Sequence, residues 1–138
     1  MEAITVQATV RADIEKVWRL WTQAGHIKNW YHASDGWHAP NAVNDLRRRG
    51  KFSITMAAKD GSAGFDFEGV YTAVEPFNSI EYTIAGGRKV SVTFSEKGGL
   101  TEVTETFEAE TENPVEMQRA GWQAILDNFR KYVEGLKA

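Results

Sequence analysis

The sequence predicts an α+β fold: a curved antiparallel sheet of about six to seven strands wrapped around a long C-terminal helix, with two short helices after the first strand. Three observations carry this reading. Apolar and polar residues alternate over 3–10 and through much of 51–110, the period of half-buried strands. Between Val115 and Leu136 the apolar residues recur instead at three- and four-residue spacing, the stripe of an amphipathic helix. Five Trp, four Tyr and seven Phe in 138 residues exceed what a small core ordinarily uses, since each ring brings on the order of 150–250 Å² to bury or to offer a ligand.

Taken in order, Ile4, Val6, Ala8 and Val10 share one face of the first strand, with Thr5, Gln7 and Thr9 on the other. Asp13 caps a helix whose Ile14, Val17, Trp18 and Trp21 lie on one side. Gly25 ends it, and 26–31 forms a second short helical stretch. Residues 32–44 have no period and contain Gly36 and Pro40, so they read as a loop. It holds Trp37 and His38, and loops that carry large aromatics are often parts of a site. Phe52, Ile54 and Met56 mark the next strand, followed by a turn at Lys59-Asp60-Gly61. Phe65 and Phe67 begin another, and past Gly69 the apolar phase shifts to Val70 and Val74, which predicts a bulge or bend at that glycine. Pro76 and Asn78 break this strand. Ile80, Tyr82 and Ile84 form the next, Gly86-Gly87 a hairpin turn, and Val90, Val92 and Phe94 its partner. The last strand runs from about Leu100 to Glu110. Asn113, Pro114 and Glu116 then supply a cap, a proline at the first helical position and a capping-box acid. They open a helix of about 22 residues and about 33 Å.

The length fits one domain over 1–138. The absence of cysteine removes disulfides, thiolate metal sites and a Cys nucleophile. No apolar run approaches the ~20 residues that span a bilayer, and no basic leader precedes one. The expectation is a cytoplasmic protein with no membrane insertion. A net charge of −3 does not suit a dedicated nucleic-acid binder, and Arg47, Arg48 and Arg49 read as solvated strand residues. His26, His32 and His38 stand six apart, which matches neither one helical face nor a familiar ligand spacing. No metal site is expected. Without a glycine fingerprint, phosphate loop or nucleophile elbow, no cofactor is expected either.

Glu105 is the sharpest single residue. In the last strand Val103, Phe107 and Ala109 share one face, while Glu102, Thr104, Thr106 and Glu108 share the other. Strict alternation puts Glu105 on the apolar side, facing the terminal helix. A buried carboxyl is costly unless paired or protonated, so it marks a candidate ligand-orienting or acid–base group. A register shift, or a salt bridge to Arg88 or Arg119, would account for it structurally. Trp122 follows Gly121 in mid-helix, where glycine costs about 1 kcal/mol against alanine; such a glycine lets the sheet or a ligand approach the helix. With Trp30, Trp37 and His38, Trp122 is a candidate for pocket lining. Met56, Phe67, Tyr82, Phe94, Phe107 and Phe129 are candidates of the same kind, with core packing as the alternative for each.

The pattern resembles the START-like, helix-grip superfamily, and within it the branch named after the activator of the 90-kDa heat-shock chaperone ATPase. Asp13-Ile14-Glu15-Lys16-Val17-Trp18 looks like that branch's first-helix motif, and Trp30 stands where its second helix ends in tryptophan. Asp45-Leu46 with Gly50-Lys51-Phe52 is similar to its D-L-x-x-G-G-x-F strand, with Arg49 in place of the first glycine. Gly69-Val70-Tyr71, Glu75-Pro76 and Gly121-Trp122 with Leu126 complete the likeness. The resemblance implies a helix-grip domain that holds a hydrophobic small molecule, lipid-like, aromatic or polyketide-like, between the terminal helix and the sheet. A cyclase or hydrolase using Glu105 as general acid or base is one alternative. A partner protein that stimulates a chaperone ATPase is another. Either a monomer or a homodimer is compatible with the sequence.

Overall fold

The computed structural model describes residues 2–136. Strand β1 (Ala3–Val10) leads into helices α1 (Ile14–Thr22) and α2 (Ala24–Trp30). Six strands follow: β2 (Trp37–Asn44), β3 (Lys51–Ala58), β4 (Gly64–Glu75), β5 (Ser79–Ile84), β6 (Arg88–Lys97) and β7 (Leu100–Glu108). Helix α3 (Val115–Gly135) closes the order. All seven strands form one curled antiparallel sheet in the order β1-β7-β6-β5-β4-β3-β2. β2 to β7 is thus a meander, and β1 docks beside the last strand. This is the α+β helix-grip arrangement expected from the sequence. No helix among the described residues is long and apolar enough to cross a membrane.

Local chemistry explains most boundaries. In β1 exposed and buried residues alternate without a break. The Asp13 carboxylate caps α1 by accepting from the Lys16 amide at 2.8 Å. Gly86 and Gly87 both take positive φ between β5 and β6, as a tight hairpin requires.

Five expectations are corrected. The segment 32–44 is not all loop, because 37–44 is edge strand β2. Its period is hidden by a register shift between His38 and Asn41, with Pro40 in the irregular stretch, where an edge strand tolerates it. Gly25 does not end α1; the break is at Gln23, and Gly25 lies in the first turn of α2. The phase of β4 runs through Gly69 to the buried Tyr71, Val70 is exposed, and the shift comes between Tyr71 and Ala73. Gly69 is needed instead because a Cβ there would sit 2.5 Å from the Phe52 ring. Arg47 to Arg49 form a turn rather than a strand, and Arg49 has φ 71°, a conformation that favours glycine. Asn113 does not cap α3. Pro114 takes that position with no side-chain hydrogen bond. Gln118 ties the helix start down instead, accepting from the Glu110 amide and donating to the Glu110 and Asn113 carbonyls.

The core lies between the inner face of the sheet and α3, with α1 and α2 closing one end. Leu126, Phe129 and Val133 of α3 are fully buried. Phe129 takes Trp21 and Trp30 edge-on at 4.8 and 4.7 Å. α3 also shields the free edge of β1. Gln123 accepts from the Gln7 amide and donates to its carbonyl, Glu134 accepts from the Arg11 amide, and Arg119 donates to the Thr5 carbonyl.

Candidate functional site

The two halves of α3 bury differently. From Leu126 onward its inner residues are sealed, but Val115, Trp122 and Ile125 are only half-buried. A straight helix touches a twisted sheet over part of its length, and the space left over lies under the N-terminal half. It is a cavity of about 460 Å³, within the usual range for small-molecule sites. Gly121, Trp122 and Ile125 of α3 form its roof. Trp30 and Tyr31 at the end of α2, with Met56 and Phe67 of the sheet, form its walls. Phe65, 54% exposed, lies at the rim with Trp37, the ring centroids 6.1 Å apart.

Glu105 faces into this space. β7 pairs with β1 and β6 without a register shift, and Glu105 stands opposite Val6 on one side and Val92 on the other. Alternation therefore holds, and the residue is 3% exposed. Among the described residues it has no hydrogen-bond or ion-pair partner. Arg88 donates to the Ala85 and Glu108 carbonyls, and Arg119 pairs with Glu116 at 3.5 Å. Burial without a counter-charge pushes the carboxyl up to about 8. Burial also raises the phenols of Tyr31 and Tyr82 well above their usual range, and the nearby Glu105 adds to both. A second polar group in the wall is His32, whose Nδ1 is buried with no partner. Burial, with Lys59 next, lowers its pKa, so the ring is neutral at pH 7.

Of the candidates read from the sequence, Trp30, Trp37, Met56, Phe67, Glu105 and Trp122 come together around the cavity. Phe107 lies behind Trp122, stacked at 3.9 Å. Phe129 and Phe94 pack against Trp21 in the core. Tyr82 is buried beside Phe52, 4.9 Å between ring centroids, and His38 is exposed on β2. Tyr31, His32 and Gln118 line the cavity without having been anticipated. Tyr31 ends the stretch read as helical and His32 opens the one read as a loop, and Gln118 is a polar residue only 8% exposed on the inner side of a helix. A single glutamine at an otherwise apolar helical position was the available signal for it. Gly121 admits neither sheet nor side chain: a Cβ there would meet nothing within 4 Å. No group of three or more His, Asp or Glu among the described residues could hold a metal ion.

The arrangement can enclose an apolar molecule and present the Glu105 carboxyl and the Tyr31 phenol to it. Solved structures with the same architecture include an AHSA1-like protein from Aeromonas hydrophila, 45% identical, covering 97% of this chain and 93% of that one at a TM-score of 0.92. Chr148 from Cytophaga hutchinsonii is 52% identical over 96% of this chain and 92% of that one, with a TM-score of 0.82. Protein CV1439 from Chromobacterium violaceum, 21% identical, covers 97% of this chain and 99% of that one at 0.86 and shares the fold. No curated protein matches the chain. A family model described as "Activator of Hsp90 ATPase homolog 1-like protein" matches residues 11–134. With nearly the whole sequence matched, the chain belongs to the activator of Hsp90 ATPase homolog 1-like family.

Proposed function

We propose that this protein, acting as one domain over residues 1–138, binds a hydrophobic small molecule in the cavity beneath the N-terminal half of α3. The observation that carries the reading is the unpartnered carboxyl of Glu105, a residue 3% exposed, in the wall of an aromatic-lined cavity of about 460 Å³. A buried polar group with no protein partner is costly, and the site becomes favourable when a ligand supplies the partner. Affinity comes from apolar burial, at roughly 25 cal/mol per Å², while Glu105 with the adjacent Tyr31 phenol sets orientation. Trp30, Trp37 and Trp122 line the cavity, so occupancy changes tryptophan emission. Titration with a panel of lipids, flavonoids and polyketides should give saturable quenching or a spectral shift for at least one class. A flat response across all three rejects the reading.

A second reading is supported by the Glu105 carboxyl being held at about 8. It is protonated at neutral pH and could act as a general acid in a cyclase or hydrolase. That reading requires turnover of the bound molecule, abolished in Glu105→Gln with binding kept. Recovery of the ligand unchanged after long incubation with the wild type rejects it.

A further inference from the structure

Resting on the binding reading above, we propose that the ligand class of this cavity is an organic cation: an amine or quaternary ammonium compound with an aromatic or alkyl body, its positive head seated against Glu105. Three observations on the cavity wall point there. The first is Glu105 itself, 3% exposed and with no ion-pair or hydrogen-bond partner among the described residues. An acidic ligand would set two carboxyls together in a dry site, and a neutral ligand would leave the carboxyl uncompensated once it ionises. A cation compensates it.

The second is the wall around it. Trp30, Tyr31, Trp37, Phe67 and Trp122 surround the same space, and aromatic faces attract a desolvated cation. The third is the balance of the other charged groups facing the site. Glu110, two residues past the end of β7, lines the cavity, and its carboxylate accepts from the Asn113 amide. Arg88 of β6 also lines it, but its guanidinium donates to the Ala85 and Glu108 carbonyls. His32 is neutral at pH 7, and the phenols of Tyr31 and Tyr82 stay protonated because burial holds them far above neutrality. α3 contributes Gln118, Gly121, Trp122 and Ile125, none of them charged. β1 and β6 place Val6 and Val92 opposite Glu105, and β3 and β4 place Met56 and Phe67 in the wall. With Glu105 ionised, these groups sum to a negative site.

The test uses phenylbutyltrimethylammonium and its neutral carbon isostere, in which the quaternary nitrogen is a carbon. Neither probe carries a titratable proton, so any pH dependence belongs to the protein. Calorimetric titration of the wild type should show the cation binding about ten-fold tighter than the isostere near pH 9. With Glu105 at about 8, the ionised fraction grows from roughly a tenth near pH 7 to roughly nine tenths near pH 9. The cation's affinity should rise about ten-fold over that range while the isostere's stays flat. Glu105→Gln should remove both the preference and the pH dependence; should that variant not fold, the two wild-type titrations still decide. An isostere that binds as tightly as the cation, or a cation indifferent to pH, overturns the cationic assignment and leaves hydrophobic binding standing. Failure of both probes to bind the wild type overturns the cationic assignment, and the lipid, flavonoid and polyketide panel then decides the binding reading by itself.

Discussion

At Glu105 the fold holds a proton. The unfolded chain releases it near the ordinary value of 4.5, whereas burial keeps it on the folded carboxyl up to about 8. Below the lower value both states are protonated, and Glu105 makes no difference with pH. Between the two, the unfolded chain binds fewer protons than the folded one, so rising pH favours unfolding by up to about 1.4 kcal/mol per pH unit. Above about 8 both states are ionised and the loss is complete. Glu105→Gln lacks this slope. Urea denaturation near pH 5 and near pH 8 should show the variant gaining on the wild type by a few kcal/mol between the two. Parallel stability curves for the two proteins would mean that the carboxyl is already ionised in the fold. Gly69 shows the opposite kind of residue-level constraint: its lack of a Cβ leaves room for the Phe52 ring, and it belongs to packing rather than to the cavity.

At the scale of elements, α3 divides into an anchoring half around Leu126, Phe129 and Val133 and a roofing half around Gly121 and Trp122. A mid-helix glycine costs about 1 kcal/mol against alanine, yet no protein atom within 4 Å needs its smallness. Gly121→Ala should therefore raise stability by up to about 1 kcal/mol in thermal or urea denaturation. Because the added methyl enters the cavity roof, ligand affinity should fall. A variant that is more stable and binds undiminished would show that the ligand does not reach the roof. This division was partly legible in the sequence. Alternation alone put Glu105 on the inner face, since β7 has no bulge to shift its phase. The stripe from Trp122 to Val133 likewise identified the covering helix. β2 was not legible, because Pro40 and the register shift erase its period. The anchoring of the α3 start was misread. Asn113-Pro114 has the composition of a cap, but Gln118, four residues into the helix, makes the hydrogen bonds. Local signals report local structure; Tyr31 and His32 join the wall only through the curl of the sheet, which no short window contains.

For the whole molecule, topology separates what forms early from what forms late. β2 to β7 are sequential neighbours joined by short turns. β1 instead pairs with β7 in the register Ala3 to Glu108, closing a loop of roughly a hundred residues. Loop closure grows as the logarithm of length, so this pairing costs about 2 kcal/mol more than a ten-residue hairpin. Its reward, the burial of Ile4, Val6 and Val10 and the docking of α3 along β1, comes only once both termini are in place. The β1–β7 seam should therefore form after the transition state for folding, and the central meander before it. Ile4→Val on β1 and Ile80→Val on β5 remove the same methylene from sites 0% and 1% exposed, each at about 1 kcal/mol. In stopped-flow chevron experiments Ile4→Val should act mainly on the unfolding rate, with a φ-value below about 0.3, and Ile80→Val mainly on the folding rate, with a φ-value above about 0.5. The reverse pattern would place the closing of the termini in the nucleus. The cavity between α3 and the sheet would then be shaped at the start of folding rather than at its end.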